Sequence, residues 1–227
     1  MKKLFLTTLL LLAAVVVHGQ GNLYDLSTYE KKGYPEGMSA YIAQSEEGDV
    51  LLSIFEGTRM SQLINVGYVD VNTYGNADVK VVHFLDVNYD GYPDILVGKE
   101  GPRCGIVSVI FNPQTKKFEY ETEGVILQSP LFDPSNKVVY SLGPVSAAQY
   151  QITRVFPSGQ RMIVDRSLRV TSDMKAFNAN TDPEFRAHHK YDVFDSNEKY
   201  VGEGWDDKMK LPAEWKRLLK ASNLEDW

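Results

Sequence analysis

One nine-residue segment, Asp86–Asp94, carries the residue types of a metal-binding loop. Oxygen-bearing side chains occupy its first, third, fifth and ninth positions, and a glycine occupies the sixth. Calcium takes six to eight oxygen ligands at roughly 2.3–2.6 Å, and a tight loop with alternate inward side chains can supply most of them. We therefore expect Ca2+ to be bound by the loop through the side chains of Asp86, Asn88, Asp90 and Asp94 and the backbone carbonyl of Tyr92.

The segment departs from the EF-hand pattern. An EF-hand has a glutamate at position twelve and a helix on each side, but position twelve here is Val97. The flanking segments Val79–Leu85 and Ile95–Gly98 are rich in β-branched and apolar residues, which predicts strands. We therefore expect a strand–loop–strand unit that Asp94 closes as the last ligand. The alternative is an ordinary turn, because Asp, Asn and Gly favour turns.

Other candidates for chemistry are weaker. Asp70–Asp78 repeats the spacing but has Tyr74 in place of the third ligand, which favours a β-turn over a second metal site. Cys104 is the only cysteine, and a lone thiol is typical of a small buried hydrophobe. His188 and His189 are adjacent, which suits an exposed polar loop better than chelation. The chain carries no Gly-x-Ser-x-Gly and no His-Glu-x-x-His motif, so we expect no enzyme activity.

The first nineteen residues predict export. Lys2 and Lys3 precede an apolar run from Leu4 to Val17, and small residues stand just before Gln20. This is the pattern of a secretory signal peptide, and it is too short for a membrane span. No cysteine lies near the cleavage point, so we expect no lipid anchor. The mature protein, residues 20–227, is expected in the periplasm or outside the cell.

Composition limits the partners. Removal of residues 1–19 takes away two lysines and no acid, which changes the net charge from −6 to −8. A negative protein of this kind is not expected to bind nucleic acid or anionic membranes. It favours a cationic partner, and the sequence does not indicate the oligomeric state. With 43% hydrophobic residues and 13 tyrosines, the chain is typical of a folded protein.

Short alternating segments predict an all-β fold of antiparallel sheets, propeller-like or sandwich, in a single calcium-binding domain over residues 20–227. A helix is expected only near the C-terminus, where Leu211, Trp215, Leu218 and Leu219 form one apolar stripe and Pro212 fits the first turn. The predicted strands are Ser39–Ala43, Val50–Phe55, Leu63–Val69, Val79–Leu85, Asp94–Gly98, Ile106–Phe111, Phe118–Thr122, Val138–Leu142, Gln149–Phe156, Arg161–Val164, Ser167–Val170, Tyr191–Phe194 and Lys199–Val201.

The loop and the strand after it resemble the FG-GAP or VCBS calcium repeat of integrin-like propeller blades. The order of features over about residues 79–165 is in turn similar to a family of bacterial periplasmic calcium-binding proteins related to I-type lysozyme inhibitors. That similarity includes the turns and strands at Phe111–Phe118, Leu127–Asp133, Lys137–Ser141, Ala148–Ile152 and Ser158–Gln160. The resemblance implies a propeller-like all-β fold with a single calcium loop.

The same resemblance implies inhibition of a lysozyme-like muramidase by a protruding Ser-Gly-x-x-Tyr loop. This chain departs from that motif in two places. Ser146 and Tyr150 are one residue too far apart and lack the glycine, whereas Ser158-Gly159 has no tyrosine after it. We therefore expect an exported, calcium-stabilised binding protein whose partner is a lysozyme-like enzyme or another protein. The alternatives are a periplasmic glycan-acting hydrolase and a structural or adhesive surface module.

Overall fold

The computed structural model describes residues 23–25, 37–47, 49–67, 81–98, 105–121, 124–146, 149–172, 189–195, 200–205 and 211–222. The expected signal peptide, the Asp70–Asp78 segment, Cys104 and His188 lie outside the described residues. Within the described residues, none of the helices has the length and apolar character needed to cross a membrane.

Strands dominate the described part of the chain, and one helix follows them. The bounds are β1 Tyr24–Asp25, β2 Met38–Gln44, β3 Val50–Glu56, β4 Arg59–Gly67, β5 Val81–Leu85, β6 Asp94–Gly98, β7 Ile106–Asn112, β8 Lys117–Tyr120, β9 Leu131–Asp133, β10 Val138–Ser146, β11 Gln149–Ser158, β12 Arg161–Ser172, β13 His189–Asp195, β14 Tyr200–Trp205 and α1 Ala213–Ala221.

These strands form three antiparallel sheets. The seven-stranded sheet has the order β1-β9-β10-β11-β12-β13-β14, the three-stranded sheet β2-β3-β4, and the four-stranded sheet β5-β6-β7-β8. Each neighbouring pair is antiparallel. The predicted all-β fold with one C-terminal helix is confirmed, and the sheets pack in the sandwich-like manner rather than as propeller blades.

The four-stranded sheet is the middle layer. One of its faces packs on the three-stranded sheet through a cluster that includes Ile95, Val97 and Leu52. Its other face packs on the seven-stranded sheet through Leu96, Phe132 and their neighbours. Because successive side chains of a strand point to opposite faces, a strand buried on both sides must be apolar throughout. This explains the unbroken Ile95–Gly98 run, all of which is buried.

Helix α1 covers the second face of the seven-stranded sheet. Trp215, Leu218 and Leu219 are buried there against Tyr140, Ile152 and other residues of β10–β13, and Leu211 packs beside them. The predicted apolar stripe is therefore confirmed. Pro212 has extended backbone angles (φ −52°, ψ 148°) and stands just before the first helical residue rather than in the first turn.

Some strand boundaries differ from those predicted. Arg161–Val164 and Ser167–Val170 form one strand, β12, because its backbone pairing with β11 continues across a bulge at Asp165. The Asp165 side chain pairs there with Arg154 of β11 at 2.9 Å. The fourth strand begins at Arg59 instead of Leu63, as part of a tight hairpin with β3. His189, expected in a polar loop, is the first residue of β13, where it pairs with Ser172.

Candidate metal loop

The Asp86–Asp94 segment joins β5 to β6 at one end of the middle sheet. Asp94 is the first residue of β6 and pairs with Leu85 of β5, so the predicted strand–loop–strand unit is present. Of the expected ligand residues, Asp86, Asn88 and Asp94 are buried, whereas Asp90 and Tyr92 are exposed. One side of the loop is therefore buried at the end of the middle sheet, and the other side is exposed to solvent.

The Asp86 carboxylate accepts hydrogen bonds from the turn that follows it. Its Oδ1 accepts from the Asp90 amide at 2.9 Å, and its Oδ2 accepts from the Gly91 amide at 2.9 Å. The chain can bring these amides inward because Tyr89 and Gly91 have φ values of 57° and 94°. Glycine adopts this left-handed region without steric cost, which explains its place at the sixth position.

Asn88 and Asp90 contact one another across the turn. The Asn88 Nδ2 donates to Asp90 Oδ2 at 3.0 Å, and the Asn88 Oδ1 accepts from the Asp90 amide at 3.2 Å. The Tyr92 amide donates to Asp90 Oδ1 at 2.9 Å. The Tyr92 ring packs on Phe111 with centroids 5.6 Å apart. These contacts place the two side chains and the Tyr92 peptide unit around the same short turn.

Asp94 anchors the loop. Its Oδ2 accepts from the amides of Val87 at 2.9 Å and Asn88 at 3.3 Å, and its Oδ1 accepts from Phe111 of β7 at 2.8 Å. The pKa of Asp94 is raised to about 7, mainly by burial and to a smaller extent by the charge of Asp90, although the three backbone hydrogen bonds act in the opposite direction. A nearby cation would favour the ionised form of this carboxyl.

Tyr89 connects the loop to the neighbouring layer, a role that the sequence analysis missed. Its hydroxyl donates to the carbonyl of Val138 in β10 at 2.7 Å. Val87, two residues earlier, is fully buried in the cluster between the middle and the seven-stranded sheets. Apolar and aromatic residues between the acidic positions were the signal that one side of the loop faces the core.

The residues present fit calcium in the type of donor they offer. Each carboxylate oxygen has two lone pairs, so an oxygen that accepts one backbone hydrogen bond retains capacity for a cation. Within the described ranges, however, no three His, Cys, Asp or Glu side chains are gathered as ligands of a single ion. A calcium site here would therefore depend on the Asn88 amide oxygen and the Tyr92 carbonyl as well as on the carboxylates.

The two loops considered for muramidase inhibition differ in exposure. Tyr150 is half-buried against the cluster beneath α1, and burial raises the pKa of its hydroxyl. It therefore does not project from the surface as an inhibitory side chain must. Ser158 and Gly159 lie instead at the exposed tip of the β11–β12 hairpin, where Gly159 has a φ of 64°.

Comparison with known proteins adds little to this geometry. No family model matches the chain, and no curated protein matches it. A solved structure described as that of a Xanthomonas type IV secretion system related protein is similar over 81% of this chain and 95% of its own, with 11% sequence identity and a TM-score of 0.41. A similarity of this size carries no conclusion about function.

Proposed function

We propose that this protein is an exported binding protein whose fold is stabilised by Ca2+ at the Asp86–Asp94 loop. The observation that carries the proposal is the set of main-chain hydrogen bonds that position the carboxylates of the loop. Asp86 and Asp94 together accept five hydrogen bonds from main-chain amides. The Asp90 carboxylate accepts a further bond from the Tyr92 amide, so three acidic residues are held within nine positions, at the junction of two layers. The apolar Leu4–Val17 segment supports export.

Asp86, Asn88 and Asp90 would hold the ion with the Tyr92 carbonyl, and Asp94 would close the site. A bound divalent cation supplies positive charge that offsets the repulsion among the carboxylates. The mutual hydrogen bond of Asn88 and Asp90 keeps both side chains beside the turn. Asp94 ties the same turn to β7, so binding would also strengthen the end of the middle sheet.

Thermal unfolding in calcium and in chelator tests the proposal. A ligand that binds only the folded state at 100 times its Kd adds about 2.7 kcal/mol. For a domain of this size, that corresponds to a rise in Tm of roughly 5–10 °C. The measurement compares 5 mM CaCl2 with EGTA by circular dichroism, and 5 mM MgCl2 serves as the ion control. Superimposable transitions in calcium and EGTA would rule the site out.

A charge-neutralising pair of variants locates the response. Asp90→Asn removes a proposed ligand charge, and we expect it to lose most of the calcium-dependent rise in Tm. Glu47→Gln makes the same change in charge on the exposed turn between β2 and β3, and should retain the full response. An equal loss in both variants would indicate non-specific ion binding rather than a site in the loop.

For the partner, we propose a lysozyme-like muramidase contacted by the β11–β12 hairpin. The exposed Ser158-Gly159 tip favours this surface over the half-buried Tyr150. A panel of muramidases is assayed with and without the purified protein, and the protein alone is assayed for glycan hydrolysis. We expect inhibition that Ser158→Arg abolishes and that Glu47→Arg leaves intact. Hydrolysis by the protein alone would favour the enzyme alternative, and the absence of both effects would favour a structural or adhesive module.

A further inference from the structure

Strand β2 forms an open edge of the three-stranded sheet. It pairs with β3 on one side, and no strand in the described part of the chain pairs with its other side. Natural proteins usually protect such an edge with charged residues, proline or bulges, because its free backbone groups can pair with another chain. β2 has none of these protections. Its seven residues, Met38–Gln44, include no charged residue and no proline, and they pair with β3 without a register shift.

The opposite edge of the same sheet is protected. β4 begins with Arg59, and its pairing with β3 is interrupted by two register shifts. The Gln62 side chain of β4 also bonds to the Phe118 peptide groups on the free edge of β8: its Nε2 donates to the carbonyl at 3.1 Å, and its Oε1 accepts from the amide at 2.9 Å. The open edge at β2 is therefore a local feature and not a general property of these small sheets.

Hydrogen bonds at the two ends of β2 identify the backbone groups that face outward. The Ser45 amide donates to the Asp49 carbonyl at 2.8 Å, and the Gly57 amide donates to the Gly37 carbonyl at 2.7 Å. Bonded and non-bonded pairs alternate along an antiparallel ladder, so the odd-numbered residues of β2 direct their backbone groups to β3. The residues that direct theirs to the open side are Met38, Ala40, Ile42 and Gln44.

The side chains along this edge are apolar or small on both faces of the sheet. Met38, Ala40 and Ile42 pack against the core cluster between the three-stranded and middle sheets but are only partly buried. On the outer face, Tyr41 is 60% exposed, and its ring packs edge-on against Phe55 with centroids 5.6 Å apart. A strand added here would complete the burial of the inner side chains. It would need uncharged side chains on both of its own faces.

A second copy of β2 meets these requirements. In a two-fold symmetric pair the strand meets itself in antiparallel orientation, and the register centred on Tyr41 is the one that pairs all seven residues. Ala40 then lies opposite the partner's Ile42, so a small side chain faces a large one. The two Tyr41 side chains face each other on the outer surface, and every outward backbone group of β2 has a partner. We propose that this protein forms a symmetric dimer through β2, in which two three-stranded sheets become one six-stranded sheet.

The size and charge of the contact determine how strong the dimer should be. A pair of seven-residue strands is about 24 Å long, which places it among the small, transient interfaces. Each copy also carries a net negative charge, although β2 itself carries none. Association is therefore expected at micromolar or higher concentrations, and it should strengthen as added salt screens the repulsion between the copies.

Sedimentation equilibrium of residues 20–227 over about 5–500 µM tests the proposal. We expect a monomer–dimer equilibrium in calcium and in EGTA alike, because β2 contains none of the proposed calcium ligands. Tyr41→Lys places like charges directly opposite each other and should weaken dimerisation at least tenfold. Ala40→Pro removes an outward amide and leaves the bonds to β3 in place, so it should have a similar effect. Circular dichroism checks that each variant is folded.

Leu63→Lys is the matched control. Leu63 is 57% exposed on the same outer face as Tyr41, but it belongs to the opposite edge strand, β4, so dimerisation should be unchanged. Equal weakening by Leu63→Lys and Tyr41→Lys would overturn the proposal, because it would indicate stacking of two outer faces. A monomer at every concentration would also overturn it, and would leave the edge to an extended segment of another protein.

Tyr41→Cys in a Cys104→Ser background tests the register. Opposed residues of a non-hydrogen-bonded pair have Cα atoms about 4.5 Å apart, within the range that a disulfide spans. Mild oxidation should therefore link two copies covalently, whereas Leu63→Cys in the same background should remain unlinked. Equal cross-linking of the two variants would contradict pairing through β2.

Discussion

Asp94 shows how one carboxyl can be both a structural anchor and a candidate ligand. It is fully buried and accepts hydrogen bonds from three backbone amides that belong to the loop and to β7. Burial is the largest effect on its pKa and outweighs these hydrogen bonds, so the pKa lies at about 7 rather than at 3.8. In the absence of a cation, the folded state therefore retains the proton over a range in which the unfolded chain has lost it.

This difference predicts an unusual pH dependence in EGTA. Stability falls with rising pH wherever the folded state binds more protons than the unfolded state. Between about pH 4 and pH 7 the unfolded carboxyl is ionised while the folded Asp94 is protonated. The Asp94 contribution is thus fully present below about pH 4, declines through that window and is constant above about pH 7.

Urea unfolding at several pH values in EGTA measures this effect. The decline should be absent in Asp94→Asn, which does not titrate, and present in Glu47→Gln, which changes only an exposed turn. Saturating calcium should reduce the decline, because the cation favours the ionised carboxylate. If Asp94→Asn and the unmodified protein kept the same slope, the decline would belong to other groups.

At the scale of elements, the loop acts as a connector between layers. Tyr89 reaches from the loop to the Val138 carbonyl of β10, whereas Tyr92 lies 46% exposed on the other side. Tyr89→Phe removes the donor and should cost about 1 kcal/mol of unfolding free energy. Tyr92→Phe makes the identical change at the exposed ring and should stay within about 0.5 kcal/mol. Urea unfolding of both variants decides this, and equal effects would contradict a specific role for Tyr89.

Helix α1 is fixed to the seven-stranded sheet by charges as well as by its apolar stripe. Glu214 accepts two hydrogen bonds from Arg154 Nη1, at 3.0 and 3.1 Å, and one from the Tyr140 hydroxyl at 2.6 Å. Arg217 on the same helix pairs with the fully buried Asp133. The two contacts hold successive turns of the helix to β9, β10 and β11.

The Glu214 contact should matter more than a surface ion pair. Glu214→Gln weakens three hydrogen bonds in a partly buried setting, and we expect a loss of about 2 kcal/mol. Glu121→Gln alters the exposed pair with Arg161 and should cost less than about 0.5 kcal/mol. Denaturant unfolding followed by the fluorescence of Trp215 and the other tryptophans provides the measurement. Similar losses in the two variants would show that the Glu214 contact contributes no more than a surface ion pair.

At the scale of the whole molecule, the middle sheet belongs to two cores at once. Ile95 and Val97 face one cluster, and Leu96 between them faces the other. Substitutions in this sheet can therefore disturb the packing of either neighbouring sheet, depending on the face that the side chain occupies. Leu96→Ala should cost about 2–5 kcal/mol, whereas Leu63→Ala, at a side chain that is 57% exposed, should remain within about 0.5 kcal/mol. A small loss for Leu96→Ala in urea unfolding would contradict tight packing between the middle and the seven-stranded sheets.

Much of this architecture was predictable because it depends on local sequence pattern. The strands follow from β-branched residues and from the alternation of apolar and polar residues. The stripe of Trp215, Leu218 and Leu219 specifies a helix with one buried face. The loop at Asp86–Asp94 was predictable for the same reason, since its acidic positions and Gly91 are close in sequence. The bulged β12 was not predicted as one strand, because the polar Asp165 interrupts the pattern while its partner, Arg154, comes from another strand.

The sequence alone determined the all-β class, the terminal helix and the strand–loop–strand unit, since each depends on residues within a few positions of one another. Only the tertiary structure decided that Asp94 is tied to β7, that Tyr89 reaches β10 and that Glu214 of α1 meets Arg154 of β11. Those contacts join residues far apart in the chain, and the register of the sheets selects them. The oxygen-bearing residues of the loop were visible in the sequence, but their backbone partners were not.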